Sequence, residues 1–208
     1  MMEKVDWRGR VISIQPRIRM IRSFDERGHS YLGYSLIIEG VIGGEEREFT
    51  VGIGKATQAK FRLRVGDELM GRGVPVADPR REPVELYRVS KLRVLRRGGD
   101  EDWVPPPWHG VPPALEVYRQ RGHRRLSART YNSKCRSCIW GCRMAVEMII
   151  DPWDPRVRYR YETFCYGPKS CKNYRAGPRR VVPGRKGMRW EEPDWLDEQE
   201  TAHRGPDE

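Results

Sequence analysis

The chain has 208 residues, 33% charged and only 38% hydrophobic, with 40 lysines and arginines against 29 acids and a net charge of +11. An apolar fraction below the ~45–50% typical of globular domains points away from one large core and toward two small ones, at least one reinforced. The longest apolar stretches fall far short of the ~20 residues a bilayer crossing needs. The N-terminus carries no apolar signal segment and no Asn-x-Ser/Thr sequon occurs, so the expectation is a cytoplasmic protein that is neither secreted nor membrane-spanning.

Residues 1–98 read as strands. Positions 10–15 alternate and continue past Pro16 through 17–20, and 31–42 is a second β-rich run, reached through the turn-rich segment 25–29. Residues 45–53 alternate cleanly, with Phe49, Val51 and Ile53 on one face, and Gly43-Gly44 ahead of them is a hairpin signal. A short helix is predicted over 55–61, then strands over 65–74 and 84–95 separated by the loop 75–83.

Five strands with a helix between the third and fourth, a long bent first strand and Val65-Gly-Asp-Glu-Leu69 leading into the fourth resemble the oligonucleotide/oligosaccharide-binding (OB) superfamily. The resemblance covers the first half of the chain and rests on strand order and turn placement. It implies a five-stranded barrel whose second and third strands and neighbouring loops take the ligand. Another small barrel serving as a protein-interaction platform fits the same order. On the barrel surface, Arg17 and Arg19 of the first strand, Tyr31 at the start of the second, and Arg88, Lys91 and Arg93 of the fifth are candidate backbone contacts. A solvated charged face is the plain alternative.

Residues 99–113 form a Pro-rich linker, Pro105-Pro-Pro107 favouring an extended polyproline conformation, with Trp103 and Trp108 placed to pin it. Residues 114–190 follow with 19 basic and 5 acidic side chains, a net +14, and all five cysteines. Helix-compatible residues 114–120 lead into a basic run over 121–125, 144–150 suits a helix or a strand, and 157–164 alternates as a strand. That alternation places Tyr159 and Tyr161 toward a core and Arg158 and Arg160 toward a ligand. Residues 191–208 carry 8 acids and 1 base. Most of 178–208 is expected to be extended or mobile, although the acidic tail could fold back over the basic body.

The cysteines lie as Cys135-x2-Cys138-x3-Cys142, then Cys165-x5-Cys171. In a reducing compartment, clustering of this kind favours metal over disulfides. Cys-x2-Cys lets two thiolates grip one ion from a tight turn, and a distant pair completes a tetrahedron, so Cys135, Cys138, Cys165 and Cys171 suit zinc with Cys142 spare. Three close cysteines plus a remote fourth also suit an iron–sulfur cluster held by Cys135, Cys138, Cys142 and either Cys165 or Cys171. His109 or His123 could substitute as a ligand, and idle buried thiols are the plain alternative.

Around the cysteines, aromatic and basic residues interleave. Arg136, Trp140, Arg143, Arg158 and Arg160 are candidates for stacking on bases and pairing with phosphates. Gly54-Lys55-Ala-Thr57 lacks the cradle of a phosphate-binding loop, since Phe49 stands where its first glycine belongs. No nucleophile or metalloprotease pattern involves the four histidines. The expected fold is therefore mainly β: a five-stranded OB-like barrel (1–98), a linker (99–113), a small cysteine-ligated α+β metal module (114–190) and an extended acidic tail (191–208). The expected function is non-catalytic binding of RNA or single-stranded DNA. An iron–sulfur protein in electron transfer or in an enzyme complex, and an assembly factor whose barrel or tail binds a protein, are the other readings kept open.

Overall fold

The structure is a computed structural model that describes residues 3–23, 26–99 and 104–208, without the side chains of 155 and 156. Strands hold 47% of the residues and helices 16%, so the fold is mainly β. The first half runs β1 (Val5–Arg22), β2 (Arg27–Ile42), β3 (Glu45–Ile53), α1 (Lys55–Phe61), β4 (Glu68–Pro75) and β5 (Leu86–Arg96). Gly43 and Gly44 both take positive φ in the β2–β3 hairpin, a conformation that glycine adopts at no steric cost.

β1 pairs with β2 over nearly its whole length and with β4 over Val5–Arg10. The order β2-β3-β5-β4-β1, with β1 returning to β2, makes a partial ring of five strands. One parallel bridge, Val51 to Leu86, links β3 to β5. Register shifts at Val11/Ser13 and Arg17/Ile18 let the long first strand bend.

The second half contains α2 (Leu115–Arg121), β6 (Arg124–Arg125), and α3 (Ala128–Thr130) running into a π turn over Tyr131–Cys135. β7 (Gly141–Asp151), β8 (Asp154–Cys165), β9 (Val181–Pro183), β10 (Arg189–Glu191) and α4 (Trp195–Thr201) complete the chain. β7 lies parallel to the end of β1, with Arg19–Arg22 against Ala145–Met148, so one eight-stranded sheet runs through both halves.

That shared edge changes the core from the two small ones expected. The larger apolar cluster joins Ile14, Ile18 and Leu36 of the first half to Tyr118, Met144 and Phe164 of the second. Only a small second cluster forms around Cys135, Cys138 and Cys165.

The linker is fixed to the body. The Pro105–Pro106 and Pro106–Pro107 bonds are cis, so the triple proline departs from the expected polyproline conformation. The Trp108 carbonyl accepts the Ile139 N–H at 2.8 Å, and the Tyr34 hydroxyl donates to the Pro113 carbonyl at 2.6 Å. Trp103 lies outside the described residues. The C-terminal segment, expected to be extended or mobile, instead forms β9, β10 and α4 and packs on β6. Its carboxylates have arginines to meet there. Among the described residues no helix is long and apolar enough to cross a membrane.

One buried side chain ties the partial ring to the cysteine loop. Gln15 of β1 donates through Nε2 to the carbonyls of Cys135 (2.9 Å) and Cys138 (2.8 Å) and accepts from the Tyr131 hydroxyl at 2.7 Å. Ser13 Oγ adds a 2.5 Å bond to the Arg136 carbonyl. Gln15→Leu leaves the Tyr131 hydroxyl without its acceptor and takes one of two donors from each carbonyl, which keep the N–H groups of Cys138 and Gly141; the unpaired hydroxyl costs about 1–3 kcal/mol. Urea unfolding is expected to show a loss of about 1–3 kcal/mol for Gln15→Leu, larger than for an exposed control such as Gln120→Leu.

Candidate nucleic-acid interface and cysteine cluster

Cys135 closes the π turn, Cys138 ends the next tight turn, and Cys165 is the last residue of β8. Gly141 pairs with Cys165 across the β7–β8 ladder, which carries the second cysteine segment to the first. A side chain at Gly141 would meet the Cys135 carbonyl at 2.5 Å and Gln15 Nε2 at 2.6 Å, so only glycine permits this approach. Cys135, Cys138 and Cys165 are buried in one cluster and Cys171 is half-exposed. Burial, then the neighbouring sulfurs of Cys165, Cys138 and Cys171, push the Cys135 thiol up to about 12. Burial lifts Cys138 to about 11, while the backbone N–H groups of Trp108, Trp140 and Gly141 pull the other way. The Gly167 N–H points at Cys165 Sγ from 3.4 Å.

Cys142 stands apart. It is fully buried in the larger core, and its S–H donates to the Pro16 carbonyl at 3.3 Å. Among the described residues, no three of His, Cys, Asp or Glu are arranged as they stand to hold a metal ion. His109 is bonded to Ser137 Oγ at 2.9 Å. His123 is buried in the second half's interior, against Phe164 and Tyr166.

The cationic candidates divide. Arg17 and Arg19 do not form an open face: Glu82, from the loop before β5, pairs with both and covers them. Tyr31 is half-buried beneath Arg119, 4.9 Å from its ring centre. Arg136 pairs with Glu48 of β3. Trp140 is half-buried, edge-on to Tyr118 and capped by Arg121 at 4.5 Å.

Arg88, Lys91 and Arg93 on β5 and Arg158 on β8 are exposed and have no carboxylate partner among the described residues. Arg143 is exposed and lies 4.1 Å over the Tyr161 ring. Arg88 and Lys91 take left-handed φ values of +48° and +53° where the β4–β5 register slips. Non-glycine residues rarely adopt that conformation.

The faces of β8 are the reverse of the expected ones near its centre. Tyr161 is exposed, its hydroxyl bonded to the loop carbonyls of Pro79 and Glu82, the latter at 2.9 Å. Arg160 turns inward to Glu162 and the Val181 carbonyl. The loop before β5, rather than a core, covers that side of the strand.

Arg160 thereby enters a buried charge cluster that sequence patterning did not reveal. The single carboxylate of Glu162 meets Arg22, Arg160 and Arg180, at 3.2, 2.6 and 3.4 Å. Glu192 meets Arg22 at 2.7 Å and Arg27 at 3.0 Å, and Glu200 also pairs with Arg27. Asp194 and Asp197 hold Arg125 at 2.5 and 2.9 Å, and Asp194 also holds Arg179 at 2.8 Å. The usable signal was the abrupt switch from basic to acidic composition at residue 191, which fits intramolecular pairing as well as it fits a mobile tail.

No protein-family model matches the chain, and neither the curated proteins nor the solved structures contain a match.

Two histidines sit within the charge cluster, their rings 5.0 Å apart. Burial, then Arg27 and Arg22, lower His29 to about 4 against the weaker pull of Glu192. Burial, then His29, Arg27, Arg22 and Arg180, hold His123 well below its ordinary range, although Glu200 lies 3.5 Å from its Nδ1. Both rings are therefore neutral in the folded state and take up a proton near pH 6.5 only on unfolding. Their contribution is complete above that pH and is lost as pH falls from 6.5 toward 4, by at most about 1.4 kcal/mol per unit for each ring. Glu200, raised by burial, acts in the opposite sense lower in that range. Urea unfolding at pH 7, 6 and 5 is expected to show falling stability, with a shallower fall in His123→Gln.

Proposed function

We propose that the chain is a non-catalytic nucleic-acid-binding protein for RNA or single-stranded DNA, with an OB-like first half and a second half stabilised by metal. The strand order β1-β2-β3-β5-β4, with α1 between β3 and β4, supports the OB reading. The observation that carries the function is on β5. Arg88 and Lys91 are held in left-handed bulges, beside Arg93, and among the described residues no carboxylate pairs with any of the three. Backbone strain of this kind costs about 1–3 kcal/mol per residue and clusters at functional positions. A bulge also re-aims the side chain it carries, here a cation turned to solvent. Arg143 stacked on Tyr161 adds an exposed cation and a ring on the β7–β8 hairpin.

The test separates binding from stability. Arg88→Gly/Lys91→Gly relieves the left-handed strain, so the unfolding free energy is expected to hold or to rise by up to about 1 kcal/mol. Affinity for a single-stranded oligonucleotide is expected to fall. The slope of log affinity against log salt should flatten by about 0.7 for each phosphate contact removed. Salt-insensitive binding by the unaltered chain would overturn the reading.

For the metal, the donor set fits zinc through Cys135, Cys138, Cys165 and Cys171, although their present spacing would have to tighten. Main-chain N–H groups directed at Cys138 and Cys165 suit sulfur in its thiolate form. A bound zinc ion would supply cross-linking of the two cysteine segments and no chemistry of its own. The position of Cys142 in the core weighs against its service in an iron–sulfur cluster. Protein purified without oxygen is expected to carry one zinc, retained in Cys142→Ser and lost in Cys165→Ser. Iron with labile sulfide would transfer support to the redox reading.

A further inference from the structure

Three arginines of the charge cluster, Arg27, Arg125 and Arg179, owe every carboxylate they meet, among the described residues, to the last eighteen residues of the chain. Arg27 of β2 pairs with Glu192 and Glu200. Arg125 of β6 pairs with Asp194 and Asp197, and its backbone N–H also donates to Asp197 at 3.0 Å. Arg179 pairs with Asp194 and, at 3.9 Å, with Glu191. By contrast, Arg22, Arg160 and Arg180 keep Glu162, a residue of β8. With the part of the arm between its anchors lifted, Arg125 would lose Asp194 and Asp197, Arg179 would lose Asp194, and Arg27 would keep Glu192 but lose Glu200, leaving guanidinium groups able to pair with phosphates.

We propose that these arginines form a polyphosphate-binding surface, in addition to β5, and that the C-terminal arm is its intramolecular occupant. The inference rests on the nucleic-acid reading for the identity of the phosphate chain. The arm is anchored at its ends and exchangeable between them. Glu192 is buried against Arg22, and further on Arg204 donates to the Tyr166 and Gly167 carbonyls at 3.2 and 3.1 Å. Lys169 Nζ ties down the Thr201 and Arg204 carbonyls. Glu191, just before the first anchor, is 56% exposed, and Asp194 between the anchors and its partner Arg179 are 57% and 54% exposed. Exposed ion pairs are weak and screened by salt, so a polyanion of high charge density competes for those of Arg179 on favourable terms, ahead of the more buried Arg125–Asp197 pair. A cleft of about 420 Å³ lined by Arg22, Arg27, Trp190, Glu192 and Leu196 opens along the seam between arm and body.

Neutralising the exposed acids tests this without dislodging the anchors. Glu191→Gln/Asp194→Asn keeps side-chain size and hydrogen-bonding capacity while removing two charges. The full-length double variant is expected to bind a fluorescein-labelled oligothymidylate and inorganic polyphosphate several-fold more tightly than the unaltered chain, with a steeper salt dependence. Adding Arg179→Gln should cancel the gain. Unchanged or weaker binding of both polyanions at an unchanged melting midpoint would overturn the proposal. If the double variant melts early, hydrogen exchange on the unaltered chain decides. Amides of 194–201 should exchange faster when polyphosphate is added, and constant exchange at saturating polyphosphate overturns the proposal. Tighter polyphosphate binding by the variant, with no oligothymidylate binding by either protein, keeps the surface and removes the nucleic-acid reading. Oligothymidylate binding that ignores both acid substitutions keeps that reading and removes the arm as a competitor.

Discussion

The amide of Gln15 is the point through which the two halves of the chain depend on each other. It projects from the strand that three others share, and it satisfies two carbonyls of the cysteine loop and one tyrosine hydroxyl. The loop closes its own turns through the Cys138 and Gly141 N–H groups, and Gln15 fills the second lone pair of each carbonyl, which fixes the loop against β1. The same strand pairs with β7 a few residues further on, and the apolar faces of both halves close over one core. The ring, the loop and the β7–β8 hairpin thus form one cooperative body.

Much of the first half was legible because local patterns there agree with the tertiary answer. The alternation ending in Phe49, Val51 and Ile53, the Gly43-Gly44 turn and the helix over 55–61 were all decided by residues next to one another. The bulges on β5 were not legible, since Arg88 and Lys91 carry none of the usual left-handed preference of glycine or asparagine. In β8, period-2 reasoning assumed a core on the tyrosine side. A loop 79 to 82 residues earlier covers that side instead, and no local pattern encodes it.

The cysteine cluster was legible in its grouping and incomplete in its geometry. Spacing brought Cys135 and Cys138 together, and the β-ladder between Gly141 and Cys165 supplied the second segment. Cys142 separates from its close neighbours because β7 starts between them and turns its side chain into the larger core. The charge reading was coarser still. The sequence shows a basic body and an acidic tail; it does not show that many of the arginines are consumed internally by Glu82, Glu162 and the C-terminal acids. Which cations remain available depends on where those few carboxylates fall.

The parallel pairing of β1 with β7 has a consequence for synthesis. Arg19–Arg22 reach the ribosome exit 126 residues before their partners Ala145–Met148. At about 5–20 residues per second, that end of the strand waits roughly 6–25 s with one edge unpaired. The waiting segment includes Met20 and Ile21, apolar residues on a bare β edge of the kind that recruits foreign strands. The arginines that flank and interrupt it, Arg17, Arg19 and Arg22, repel a second copy during that interval. The charges later neutralised by Glu82, Glu162 and Glu192 in the finished fold therefore guard the nascent chain first.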